Sequence, residues 1–279
     1  MSAPAALVLL LSTLGPAVGV GPLVKTALGD IRGLAGPLAE SFKQIPYAAP
    51  PMNQLRFAPA QPGAAWAPKT LDAARPGPPT SCWQSGAATD TDWQAGKAVH
   101  YAEDCLTLDL FRPLGASSSA TQPLLPLLLF VHGGGFTQGA AHEQDGSHLA
   151  AYQNILTATV NYRMGPLGFL PFAELAKEPT SKGANGGMNG LRDVIAAIRW
   201  LKTHLKAFGG DPDRITVMGE SSGGIATCTL SLSPESAGLF QRAIVQSGPC
   251  IGEWGPLSVR CWPYVQFRYC SPVLCWILG

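Results

Sequence analysis

Residues 217–224 read Val-Met-Gly-Glu-Ser-Ser-Gly-Gly (VMGESSGG), and their flanks decide how the stretch is understood. Before them, Ile215 to Met218 is an apolar run of strand length; after the turn, Ser222 to Leu232 has the length of a helix. A Gly-x-Ser-x-Gly match alone is a weak signal in a chain with 32 glycines, so the order strand, tight turn, helix carries the reading. Glycines at 219 and 223 avoid clashes in such a turn, and Ser221 is presented above the end of the strand. The helix behind it directs its first amides toward negative charge developing there. Ser221 is therefore a candidate nucleophile, and a serine hydroxyl at its ordinary pKa needs a positioned base.

Outward from this turn, Leu124 to Val131 is a nearly continuous apolar run and predicts a strand buried on both faces. Leu106 to Phe111, Ile155 to Tyr162 and Phe240 to Gln246 predict further strands. Leu191, Val194, Ile195, Ile198, Leu201 and Leu205 recur at the helical period, predicting a helix over 191–208 that stops at Gly209-Gly210. Leu23 to Leu34 predicts a hairpin turning near Gly29-Asp30, and residues 115–122 a surface loop. Strands alternating with helices predict an α/β fold with a largely parallel sheet and helices on both faces. Directly after one predicted strand comes His132-Gly133-Gly134-Gly135-Phe136. Consecutive glycines let backbone N–H groups converge on one oxygen, as an oxyanion loop requires.

Composition removes several function classes. Apolar residues at 46% and charged residues at 13% exclude a disordered, solvating chain. A net charge of +1 without a basic stripe argues against nucleic acid as a partner. Ala5 to Leu14 is a short apolar run followed by Gly15-Pro16 and the small-residue pattern Ala17-Val18-Gly19, which predicts a signal peptide over 1–19 and secretion. The run is too short to span a bilayer, and no other stretch predicts a transmembrane span. Of seven cysteines, none has metal-ligand spacing. Cys82 and Cys105 bracket a polar loop and either pair or remain buried thiols; the signal-like N-terminus favours the pair.

An ordered series of motifs extends from about Gly29 to Gly248: Leu55-Arg56-Phe57, Glu103-Asp104-Cys105-Leu106, His132 to Phe136, Asn161-Tyr162-Arg163, Asn189 to Asp193, Phe208 to Pro212, Gly219 to Gly223 and Gln246-Ser247-Gly248. Together they resemble the type-B carboxylesterases, the α/β-hydrolases that include cholinesterases and bile-salt-type lipases. The resemblance implies an acyl-serine mechanism on a small-molecule or lipid ester, with no metal or organic cofactor. Ser221 is the implied nucleophile, and the backbone amides of Gly134, Gly135 and Ser222 are the implied oxyanion donors. The family usually has alanine at 222, a departure that costs little for a main-chain donor. Arg56 with Glu103, and Arg163 with Asp193, match structural ion pairs, and Cys82 with Cys105 matches the family's first disulfide. Glu220 matches an acidic residue beside the nucleophile, and Ser247 one that supports the catalytic acid.

The resemblance breaks after the turn. In this fold the triad runs serine, acid, histidine along the chain, yet all five histidines precede Ser221 and only Glu235 and Glu253 follow it as carboxylates. Neither a triad acid nor a triad histidine is assigned. His132 is read as structural, and His100, His142, His148 and His204 as loop or helix-surface residues. Family likeness fades near residue 255, so 20–255 is read as the N-terminal part of the hydrolase domain and 256–279 as a tail foreign to the family. A shifted, spliced or mispredicted end is the expectation for that tail, with a short apolar anchor as the competing idea. Expected consequences are weak or absent turnover and poor solubility. A non-catalytic binding or adhesion protein built on the cholinesterase-like fold is the alternative.

Overall fold

The computed structural model describes residues 21–74, 77–84, 91–92, 97–117, 119, 122–177 and 187–250; the signal-like segment 1–19, Trp93 and the tail 256–279 lie outside them. The N-terminal strands are β1 (Leu23–Thr26), β2 (Gly29–Arg32), β3 (Leu34–Ala35), β4 (Ala39–Pro46) and β5 (Thr70–Asp72). Four short ones follow: β6 (Thr80–Cys82), β7 (Thr91–Asp92), β8 (Lys97–Ala98) and β9 (His100–Ala102). Then come β10 (Thr107–Pro113), β11 (Leu125–Val131), β12 (Leu156–Val160), β13 (Gly210–Glu220) and β14 (Arg242–Gln246). The α-helices are α1 (Ser147–Gln153), α2 (Gly165–Phe169), α3 (Asn189–His204) and α4 (Ser222–Leu232).

One seven-stranded sheet, in the order β14-β13-β11-β12-β10-β4-β3, dominates. Its two halves differ. The ladders among β14, β13, β11 and β12 are parallel, and those from β12 through β10 and β4 to β3 are antiparallel. A parallel neighbour needs a long crossover, usually with a helix in it, and here α1, α3 and α4 lie between successive parallel strands. Helices pack on both sides of the sheet. Leu108 and Leu110 of β10 join the main core with α3, whereas Phe111, which the pleat turns the other way, packs with Ala39 and with Ala150 of α1.

Several predicted elements lie where the pattern placed them, and α4 begins at Ser222 and ends at Leu232. The helix predicted over 191–208 begins two residues earlier as α3 and finishes as a 3-10 turn, Leu205–Phe208, closed by Gly209 at φ 85°. β13 is longer than the run Ile215 to Met218, because the polar segment Asp211-Pro212-Asp213 belongs to it. The hairpin turns at Ala27-Leu28, and Gly29 already opens β2. The run over 124–131 is buried on one face only. Leu127, Leu129 and Val131 are buried, but Leu128 and Phe130 are half-buried. The described residues only partly cover that second face.

Candidate active site

The turn between β13 and α4 is built by close approach. A Cβ at Gly219 would lie 2.0 Å from the Gly223 carbonyl oxygen, and one at Gly223 would lie 2.1 Å from that of Val131. Neither position tolerates a side chain, which explains the two glycines in physical terms. Ser221 sits between them at φ 54° and ψ −123°, a conformation that costs an L-residue of order 1–3 kcal/mol. Its backbone is held on both sides: its N–H donates to the Gln246 carbonyl at 2.9 Å, and its carbonyl accepts from Ile225 N–H at 3.0 Å. Ser221 occupies the N-cap position of α4, where serine commonly bonds the helix amides, yet its hydroxyl makes no such bond. The hydroxyl is thus not committed to the helix amides.

The glycine loop lies against this turn. A Cβ on Gly133 would come within 3.1 Å of the Ser221 Cβ. Gly134, Gly135 and Phe136 have φ of 102°, 63° and 60°, so three successive residues are left-handed, one of them not glycine. The amides of Gly134 and Gly135 donate to no acceptor among the described residues. The Ser222 N–H precedes the first amide bonded within α4. The Ser222 amide adjoins Ser221 at the positive end of an eleven-residue helix, and the glycine loop meets this turn through Gly133 and Phe136.

His132 is committed within the loop it opens. It is 3% exposed, its Nδ1 donates to the Gly133 carbonyl at 2.9 Å, and its ring stacks on Tyr162 with centroids 4.5 Å apart. Burial pushes its pKa down to about 4, so it stays neutral. The other histidines are placed elsewhere. His100 is exposed in β9, His142 lies in a 3-10 turn with its Nδ1 3.5 Å from Ser81 Oγ, His148 is in α1, and His204 ends α3. Glu235 makes an ion pair with Arg192 at 3.3 Å, so it serves the junction of α3 with the turn after α4. Glu220 is exposed beside Ser221. Glu253 lies outside the described residues.

Buried polar groups fix the ground under the site. Arg163 is 2% exposed; its side chain grips Asp193 at 2.8 Å and 2.6 Å and donates to the carbonyls of Arg56 and Ala58. Arg56 in turn binds Glu103 through two bonds, at 2.6 Å and 2.7 Å. Gln84 holds the far end of the glycine loop, accepting from Gly139 N–H at 2.7 Å and donating to the Gly139 carbonyl at 3.1 Å. Gln84 is placed by the Cys82–Cys105 disulfide that opens its segment. A second disulfide, Cys228–Cys250, ties α4 to the chain beyond β14. No spacing rule pointed to it, since its partners are neighbours only after β14 has returned beside β13.

The model of the carboxylesterase family matches residues 20–258. The chain belongs to this family. A para-nitrobenzyl esterase of Bacillus subtilis (strain 168) is 38% identical, over 81% of this chain and 43% of its own length. A cocaine esterase of Oryctolagus cuniculus is 37% identical, over 81% of this chain and 42% of its own. A neuroligin-2 of Homo sapiens is 36% identical, over 86% and 32%. Among solved structures, a thermophilic PNB esterase superposes with a TM-score of 0.69 at 36% identity, covering 81% of this chain and 44% of that one. The chain thus spans less than half the length of these relatives, and it has the α/β-hydrolase fold in the part they share.

Proposed function

We propose that residues 20–255 are the nucleophile-bearing part of a secreted serine carboxylic-ester hydrolase. Ser221 attacks the ester carbonyl, the alcohol leaves, and water cleaves the acyl-serine. The amides of Gly134, Gly135 and Ser222 are the oxyanion donors in this reading, and the substrate is a small-molecule or lipid ester. The observation that carries the reading is the strained Ser221, its hydroxyl unbonded to its helix and its Cβ packed against the glycine loop. Family membership supports ester hydrolysis as the chemistry. Two disulfides support passage through an oxidising compartment, and no helix among the described residues is long and apolar enough to cross a membrane.

Residues 1–279 carry no histidine after Ser221, so this chain by itself is expected to turn over esters weakly or not at all, the hole and the turn supplying only residual catalysis. The test is a p-nitrophenyl ester assay alongside slow labelling by a fluorophosphonate, comparing the chain with Ser221→Ala. Little turnover with Ser221-dependent labelling agrees with the proposal. Fast turnover that vanishes in Ser221→Ala would show that a base is present after all. Labelling that persists in Ser221→Ala would remove Ser221 as the nucleophile.

The second reading is a non-catalytic binding or adhesion protein. Relatives named neuroligin-2 at 36% identity favour it; the intact Ser221 and glycine loop favour hydrolysis. A pull-down with the full chain discriminates between them.

A further inference from the structure

Ser222 was read above for its main-chain amide alone. Its side chain has a separate set of contacts. The Ser222 residue is 3% exposed, and its Oγ accepts from the Phe136 N–H at 3.2 Å. At the other end of the loop, the Tyr162 O–H donates to the His132 carbonyl at 2.8 Å. The two residues that bracket Gly133-Gly134-Gly135 are thus each held by a side-chain hydroxyl, Phe136 by that of Ser222 and His132 by that of Tyr162.

We infer that the Ser222 hydroxyl is a positioning group for the oxyanion hole, a latch that closes the glycine loop onto the helix carrying the nucleophile. The loop needs one. Glycine triplets are conformationally free, and Phe136 is held at φ 60°, where an L-residue is strained. The Phe136 carbonyl is fixed separately by Gly165 N–H at 2.6 Å, so the latch completes the grip on the loop exit. Alanine at 222 would keep the main-chain donor and leave the Phe136 N–H without its acceptor. The inference rests on the reading of Gly134 and Gly135 as oxyanion donors.

The test uses the full chain and two variants, Ser222→Ala and the hydroxyl-retaining Ser222→Thr. Site-resolved amide exchange should show Phe136 exchanging roughly tenfold faster in Ser222→Ala, relative to amides of β11, as expected for loss of one hydrogen bond. The amide resonances of Gly134 and Gly135 should move with it. Both effects should be absent or much smaller in Ser222→Thr. Unchanged Phe136 protection in Ser222→Ala overturns the latch. Altered Phe136 protection with stationary Gly134 and Gly135 resonances overturns its positioning role. Should either variant fail to fold, Ser222→Gly, which also removes the hydroxyl and keeps the amide, must shift the same glycine resonances, and stationary resonances there also overturn the inference. Neither readout involves acylation of Ser221, so failure here is distinguishable from failure of the proposed hydrolysis.

Discussion

β12 and β14 are five-residue strands of the same sheet, and they have opposite environments. Every residue of β12 is buried; every residue of β14 is exposed, including Ile244 at 43% and Val245 at 36%. Both are apolar by sequence, so composition does not separate them. Position does. β12 lies between β11 and β10, and its C-terminal end leads into the buried Asn161, Tyr162 and Arg163. β14 pairs only with β13, and no strand among the described residues pairs with its outer edge. Yet its Gln246 carbonyl holds the Ser221 amide. Ser221 is thus held on the β14 side by a strand that is exposed along its whole length.

The comparison can be broken most forcefully at the end of β12. Asp193→Ala strips the partner from a guanidinium that is 2% exposed and should cost about 3–5 kcal/mol, read from urea unfolding. Next, Leu156→Ala in β12 should cost about 3 kcal/mol, whereas Ile244→Ala in β14 should cost well under about 1 kcal/mol. Equal costs would refute the contrast.

Acid sharpens the buried side further. His132 has a folded pKa of about 4 against an ordinary 6.5. The unfolded chain binds a proton near 6.5 that the folded chain refuses until about 4, so this contribution is fully present above 6.5 and lost as pH falls toward 4. The loss should approach about 3 kcal/mol, with His204, its pKa lowered by burial, acting in the same direction. Unfolding midpoints at pH 7.5 and 4.5 measure it, and the acid loss should be smaller in His132→Gln.

The smallest effect concerns β14. Ile244→Lys should change stability by no more than about 0.5 kcal/mol while reducing aggregation seen by light scattering, because a charge blunts an open edge.

What could be read from the sequence follows the same division. α4 and the turn before it were legible because glycines and helix period are local signals. The alternation in β11 was hidden, since an unbroken apolar run reads the same whether one face or two are covered. β13 was cut short because Asp211-Pro212-Asp213 is polar, and the ladder with β11 skips it, passing from Gly210 to Ile215 across a register shift. The Ser222 hydroxyl went unread because its partner, Phe136, is distant in sequence, and the motif concerns only its amide. The Arg192–Glu235 pair was missed for a similar reason, α3 and the turn after α4 meeting only in the folded chain.

The Cys228–Cys250 disulfide gives the open side a property of its own. The bridge closes a covalent ring across a sequence separation of 22 that contains the end of α4 and all of β14. In the chain-entropy model a ring of that size stabilises by about 3 kcal/mol, by restricting the unfolded ensemble. Peeling β14 from β13 therefore cannot set the strand adrift, since both of its ends stay rooted at one helix and the way back to the sheet is short. Any neighbour joining the outer edge of β14 meets a strand on a leash, and the Ser221 amide regains its carbonyl each time the leash draws in.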